Sequence, residues 1–367
     1  MKLNRFRDPF SFRGRIPVIR HSLLIAVLLC SCSCLFARPV ALFYMTDQPG
    51  SIRSFLAHAA KVDLIVPTWY QVDETGLVTG APNPLVLQIA QQNHVPVMPI
   101  LALFGKSQLH ALAGNAEAQN LMNQALVREA RLHGYRGFQL DFENLSWTDR
   151  DGFTSLVKRT AEALHGAGFQ ISVATVPNAP GYPGSGGFAK WIYSDWRGGY
   201  DLAALAKIVD LVCVMTYDQH TRWTTPGPVD GWQWSLENLD YALAVVPKEK
   251  LSLGIPLYGY HWFAGAPTVD KATGRETPNE TADYISAPDA LQLAETYKGK
   301  IEWDDSDRSS YFFFYRDQMR EWVFFTDLRT FRERYQLVED RSLEGFCSWV
   351  LGEEDPEIWT LLPEHQH

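Results

Sequence analysis

From Arg38 onward the chain repeats one alternation: an apolar run of strand length, then an amphipathic stretch of helical period. The runs are Val40–Tyr44, Leu64–Thr68, Val95–Leu101, Gly137–Phe142, Ile171–Val176, Leu211–Thr216, Leu251–Pro256 and Gly345–Val350. Most are apolar along their length, as in parallel strands buried on both faces. Parallel neighbours need crossover connections. Ala116–Leu132, Asp149–Ala167, Leu236–Val246 and Leu328–Tyr335 have the helical pattern for that role. Asp149–Ala167, for example, sets Phe153, Leu156, Val157, Thr160 and Leu164 on one face. Eight such units predict an α/β fold, a (β/α)8 TIM barrel. A doubly wound sheet is the alternative, but no glycine-rich phosphate loop follows the first run.

One segment breaks the rhythm. Residues 261–325 are too long for a strand-to-helix loop. They contain a helical pattern at Ala287–Tyr297 and two alternating runs, Ser310–Tyr315 and Glu321–Phe325, separated by Asp317-Gln318. The expected organisation is a barrel over 38–260 and 326–367, with a small α+β insertion over 261–325 after the seventh strand.

Residues 1–37 stand apart. Lys2, Arg5, Arg7, Arg13, Arg15 and Arg20 precede an uncharged apolar run over 22–37. A basic region followed by a short apolar one is the pattern of an export signal. Cleavage after Ala37 would leave Leu35 in a poorly suited position, and Leu29-Cys30-Ser31-Cys32 is a degenerate lipoprotein-like site. A signal peptide and a retained membrane or lipid anchor are therefore both open. Either predicts a periplasmic, cell-envelope or extracellular protein.

The net charge of -9 and the lack of a basic stripe exclude a nucleic-acid partner. No Cys or His cluster has metal-ligand spacing, so neither a metal nor another cofactor is expected. Cys213 and Cys347 sit in apolar runs and read as buried free thiols. The 12 Trp, 15 Tyr and 20 Phe suit a core, and also suit the C–H faces of sugars.

The candidate chemistry lies at strand ends. In Gly137–Phe142 and the Glu143 that follows, Gln139, Asp141 and Glu143 share one face and Phe138, Leu140 and Phe142 the other. Two carboxylates on a largely buried strand are costly to desolvate, and like charges at that spacing push at least one pKa upward. That is a route to a protonated general acid near neutral pH. The competing reading is a strand end with two solvated acids. Tyr217 and Asp218 follow the sixth run, Tyr258 the seventh, and Trp349 lies on the eighth. In a (β/α)8 barrel these ends converge on one rim.

Four motifs in this order resemble glycoside hydrolase family 18, the chitinase-like family, and most nearly its branch of spore-cortex-lytic and peptidoglycan-processing N-acetylglucosaminidases. They are Gly137-Phe138-Gln139-Leu140-Asp141-Phe142-Glu143-Asn144, Val214-Met215-Thr216-Tyr217-Asp218, Leu253-Gly254-Ile255-Pro256-Leu257-Tyr258-Gly259 and Gly345-Phe346-Cys347-Ser348-Trp349-Val350-Leu351-Gly352. Val66-Pro67-Thr68-Trp69-Tyr70 and Ile301-Glu302-Trp303-Asp304 fit the same branch. The resemblance implies hydrolysis of a polysaccharide containing β-1,4-linked N-acetylglucosamine, with retention and with the substrate's own acetamido group as nucleophile. It gives Glu143 the role of general acid and base. Asp141 would orient the acetamido N–H, and Tyr217 would bond its carbonyl. Asp218 would support sugar binding or the acid pair, and Trp349 would floor the cleaved sugar.

Tyr258, Trp69, Tyr70 and Trp262 are further candidates for lining the sugar cleft. Gln139 stands where the wider family has an acid and the spore-type branch an amide, and it joins the substrate-binding candidates. The plainer alternatives are a satisfied strand-end hydroxyl for Tyr217, a turn residue for Asp218 and barrel core for Trp349. A non-catalytic carbohydrate-binding barrel of the same family is the competing function, and a transglycosylase or partner-binding protein is the third.

Overall fold

This computed structural model describes residues 38–179, 187, 197–269, 271–274 and 276–364. The expected export segment, residues 1–37, lies outside them. No helix among the described residues is long and apolar enough to cross a membrane.

The strands are β1 (Val40–Met45), β2 (Leu64–Pro67), β3 (Tyr70–Val72), β4 (Val78–Gly80), β5 (Ile100–Leu103), β6 (Gly137–Phe142), β7 (Gln170–Thr175), β8 (Leu211–Val214), β9 (Leu251–Pro256), β10 (Tyr258–Val269), β11 (Glu276–Ser286), β12 (Glu302–Asp304), β13 (Ser309–Arg316), β14 (Met319–Phe325) and β15 (Gly345–Trp349). One sheet has the order β2-β1-β15-β9-β8-β7-β6-β5-β3-β4. It curls into the expected α/β barrel. The seam closes where Ile65 pairs in parallel with Val97. There the Ile65 N–H donates to the Pro96 carbonyl at 3.1 Å, and the Met98 N–H donates to that of Ile65 at 3.0 Å.

Side chains on the two sides of this wall form separate clusters. Leu42, Tyr44, Leu64, Val66, Met98, Ile100, Cys213 and Cys347 fill the lumen. Phe43, Ile65, Leu101, Phe138, Leu140, Phe142, Val212 and Phe346 face the surrounding helices. Both sets are dry, which is why the runs read as continuously apolar. Cys213 and Cys347 are free and buried. They sit on β8 and β15, opposite Ser252 and Gly254 of the intervening β9. Two strand spacings, roughly 9–10 Å, exceed the reach of a disulfide, about 7 Å between Cα atoms.

The helices carry local start and stop signals. Ala116–His133 begins where the Asn115 side chain accepts from the Glu117 and Ala118 N–H groups, and it ends at Gly134 with φ 69°. The helix expected over Leu236–Val246 runs instead over Trp232–Leu243.

β10 to β14 form the second sheet, in the order β11-β10-β14-β13-β12. It begins at Tyr258, three residues before the expected limit of the insertion, because only Leu257 separates β9 from β10. Asp317 and Gln318 turn with φ 51° and 68°, the paired positive values of a tight hairpin. The helix Ala287–Tyr297 covers one face, packing Ala287, Ala290 and Ala294 on Phe312, Phe314, Val323 and Phe325.

Candidate active site

The barrel topology gathers the strand ends at one mouth. A cavity of about 280 Å³ opens there. Its polar lining includes Asp141, Glu143, Tyr217, Asp218, Tyr258 and Arg197, and Trp349 and Phe104 are among its apolar walls.

Asp141 is held from both sides. β6 pairs with β5, where Asp141 faces Ala102, and with β7. Burial pushes the Asp141 carboxyl well above the usual carboxylate range, and the Glu143 charge adds to the effect. Its Oδ1 is buried without a hydrogen-bond partner. A buried unpaired carboxylate oxygen is costly, so the site favours a proton or an incoming N–H there. Glu143 is fixed by its N–H, which donates to the Leu103 carbonyl at 2.9 Å. Its carboxyl is raised by burial first and by the charge of Asp218 second.

Asp218 sits on a turn with φ 61°. The Tyr258 hydroxyl donates to its Oδ1 at 2.6 Å and that of Tyr260 at 3.4 Å. Burial raises the Asp218 carboxyl while these two donors pull it down. The Tyr217 hydroxyl is held protonated by burial, so it remains a donor across the neutral range. Its ring meets Tyr258 edge-on at 6.3 Å. Trp349, half-buried, packs its ring 5.6 Å from Tyr44 of the lumen and closes the cavity floor. Gly254 lets the neighbouring strand in, since a Cβ there would stand 2.6 Å from the Thr216 nitrogen and the Val214 carbonyl oxygen.

The cavity therefore brings together Asp141, Glu143, Tyr217, Asp218, Tyr258 and Trp349, but not the other candidates. Gln139 lies beneath it, fully buried, with its Nε2 donating to Ser172 Oγ at 2.9 Å and to Cys213 Sγ at 3.3 Å. Trp69 and Tyr70 are in the outer core. The Tyr70 hydroxyl bonds that of Tyr135 at 2.9 Å, and Trp69 Nε1 donates to Asp47 Oδ1 at 3.2 Å. Trp69 has the outward parity of Ile65, and for Tyr70 the reason is a bulge. Ile65 opposes Val97 and Tyr70 opposes Leu101, so five steps on one strand match four on the other. That extra residue turns Tyr70 to the outside, where the pleat alone would have it facing the lumen with Val66. Trp262 is also outside the lining, its Nε1 donating to the Thr224 carbonyl at 3.2 Å.

Sequence reading missed Tyr260, Tyr284, Phe104 and Arg197. Tyr260 carries a local signal, two residues beyond Tyr258 on the same strand face. Phe104 has one too, immediately after β5. Tyr284 joins only through its antiparallel pairing with Tyr260, where its ring stacks on Tyr258 at 4.5 Å. Arg197 has no signal in the pattern.

The model of the glycosyl hydrolases family 18 matches residues 42–354. The chain belongs to that family. It is 26% identical over 302 residues to the cortical fragment-lytic enzyme of Bacillus subtilis, covering 80% of this chain and 66% of that enzyme. A second B. subtilis glycosylase is matched over 54% of its length, so the chain spans between about half and two thirds of these two relatives. Among solved structures, the spore cortex-lytic enzyme of Bacillus megaterium superposes with a TM-score of 0.75 at 24% identity, over 88% of this chain and 73% of that one. A chitinase of Chromobacterium violaceum superposes with a TM-score of 0.75 at 25% identity, over 88% and 97%. The family 18 chain thus shares its fold with a spore cortex-lytic enzyme and with a chitinase.

Proposed function

We propose that this family 18 chain is an exported glycoside hydrolase that cleaves β-1,4-linked N-acetylglucosamine polymers, peptidoglycan or chitin-like, with the substrate's acetamido group as nucleophile and net retention. The observation that carries the reading is the unpartnered Asp141 oxygen beside Glu143 in a cavity at the barrel mouth. An acetamido N–H is a donor of the kind that oxygen lacks. Orienting it would aim the acetamido oxygen at the anomeric carbon.

In this reading Glu143 protonates the departing glycosidic oxygen, and the burial and Asp218 charge that raise its pKa favour its holding that proton. The acetamido oxygen closes on the anomeric carbon and forms a cationic ring. Asp141 offsets that charge, and Tyr217 donates to the acetamido oxygen. Glu143, now ionised, takes a proton from the water that opens the ring. Trp349 stacks under the sugar. The volume, just below the roughly 300–1,000 Å³ of drug-sized pockets, suits one sugar unit. Export is supported by the basic and then apolar pattern of residues 1–37. The cortex-lytic and chitinase names of the relatives support a glycan polymer as substrate.

The test is Glu143→Gln against the unaltered chain on chitin oligomers and on purified peptidoglycan, with products weighed by mass spectrometry. Turnover is expected to fall by at least about 100-fold. Undiminished turnover removes the proposed acid. Glycan binding by the unaltered chain without any cleavage would establish the binding barrel instead.

A further inference from the structure

The helix Ala116–His133 leads into the start of β6, and the helix Arg150–Gly166 follows its end. The two pack side by side on the barrel flank, and a groove of about 810 Å³ runs between them. One side of it extends from Asn120 to Leu132, roughly 18 Å of helix. Arg128 to Leu132 lie in the turns just before β6, at the end of that strand opposite to Glu143. The groove shares no lining residue with the catalytic cavity.

On a chain of net charge -9, this groove is basic. Arg128 and Arg131 come from one helix and Arg159 from the other, against the single acid Glu162 among the described lining residues. All four side chains are exposed. Glu162 pairs with Lys158 at 4.0 Å, and Arg128 reaches Glu129 at 3.3 Å. Arg159 Nη1 donates to a neutral amide, Gln119 Oε1, at 3.4 Å. Among the described residues no carboxylate pairs with Arg131 or Arg159. Between the charges the lining is apolar, with Val127 and Ala163 half-buried and Leu132 70% exposed. Asn123 also lines the groove, 7% exposed, and its Oδ1 is buried without a hydrogen-bond partner. Such an orphan acceptor costs about 1–3 kcal/mol. An amide turns easily about χ2, so a donor lying in the groove would draw this oxygen towards it.

Arginines alone would suit any anion. The apolar strip and the orphan amide narrow the choice, because a simple phosphate offers nothing to either. A peptide strand offers a backbone N–H to Asn123, carboxylates to Arg131 and Arg159, and apolar side chains to Val127, Leu132 and Ala163. We propose that this groove docks an acidic, partly apolar peptide segment of a partner protein. About five extended residues span it at ~3.3 Å each. The inference stands apart from the hydrolase reading. It gives the barrel a second site, on the flank away from the mouth, by which the chain is held while its cavity stays open.

The test selects a random twelve-residue peptide library on the folded chain, then titrates the recovered peptides, synthesised with a fluorophore, by anisotropy. The expected peptides mix acidic with apolar residues, and their affinity falls as salt is added. Arg131→Glu with Arg159→Glu, both at exposed positions, should weaken them at least about tenfold. Asn123→Ala should weaken them about fivefold, and the exposed pair keeps the test alive should that variant fail to fold. Turnover of a chromogenic N-acetylglucosamine disaccharide should be unchanged in the arginine variant. Recovery of no acidic peptide overturns the proposal, as do acidic peptides that the arginine variant binds equally well. Full displacement of the peptides by inorganic phosphate, or by vesicles of anionic lipid, also overturns it and makes the groove an anion or membrane site. Self-association of the chain that disappears in the arginine variant, read by analytical ultracentrifugation, assigns the groove to a second copy instead. Because peptide binding is read apart from catalysis, a chain that never cleaves the disaccharide sinks the hydrolase reading and leaves the groove standing.

Discussion

Arg334→Met tests how the rim beside Asp218 is held. Arg334 and Asp230 are both buried, with side chains 1% and 2% exposed, and their Nε and Oδ2 are 2.9 Å apart. Arg334 also donates to the carbonyls of Asp230 at 2.6 Å and of Asp307 and Arg308 at 3.2 Å. It thereby ties two loops together. The first returns to the site, because the Gly231 N–H donates to Gln219 Oε1 at 2.6 Å, next to Asp218.

Burial pushes the Asp230 carboxyl from 3.8 to about 6 even against the pull of Arg334. Ionising it therefore already costs about 3 kcal/mol. Removing the cation leaves that charge buried and alone, and such losses run to about 3–5 kcal/mol. The sign with pH follows from the raised folded pKa. Its stabilising contribution is whole below the unfolded value near 4 and is lost as pH rises through about 6. In Arg334→Met the loss continues to higher pH, since no cation opposes it.

The expected result is a fall of roughly 5–15 °C in Tm at pH 8, shrinking towards pH 5, where Asp230 takes a proton. Adding Asp230→Asn should recover part of the loss at pH 8. The assay is calorimetry across that range, with disaccharide turnover followed in parallel. An equal drop at both pH values, or one under about 1 kcal/mol, refutes a buried charge as the cause.

Two further outcomes test the site and its corrected margins. Asp218→Asn removes the charge that helps hold the Glu143 carboxyl up, so Glu143 ionises at lower pH and the alkaline limb of the kcat/KM profile moves down; an unmoved limb detaches Asp218 from the acid. Tyr70→Phe strands the Tyr135 hydroxyl and should lower stability by about 1 kcal/mol with glycan turnover untouched; a raised KM with unchanged Tm would return Tyr70 to the cleft.

How far the site could be read from sequence depended on distance along the chain. Asp141 and Glu143 are two residues apart, and Tyr217 and Asp218 are adjacent, so strand period and a barrel rim suffice to place them. Tyr258 and Trp349 follow from the same rule. Gln139 obeyed the period but not the depth, since it sits one residue pair lower and its amide is taken by Ser172 and Cys213. Trp69 shares the outward parity of Ile65, and Tyr70 failed at a register step that apolar content cannot reveal.

By itself the chain's alternation of apolar runs and amphipathic stretches determined the barrel, its second sheet and the carboxylate pair at a strand end. These are properties of near neighbours, and the period of a strand or helix acts on near neighbours. Tertiary structure decided the bulge before Tyr70, the arrival of Tyr284 beside Tyr260 and the meeting of Asp230 with Arg334. Each joins residues that touch only after the sheets have paired, and pairing register is chosen by the packing of the whole wall.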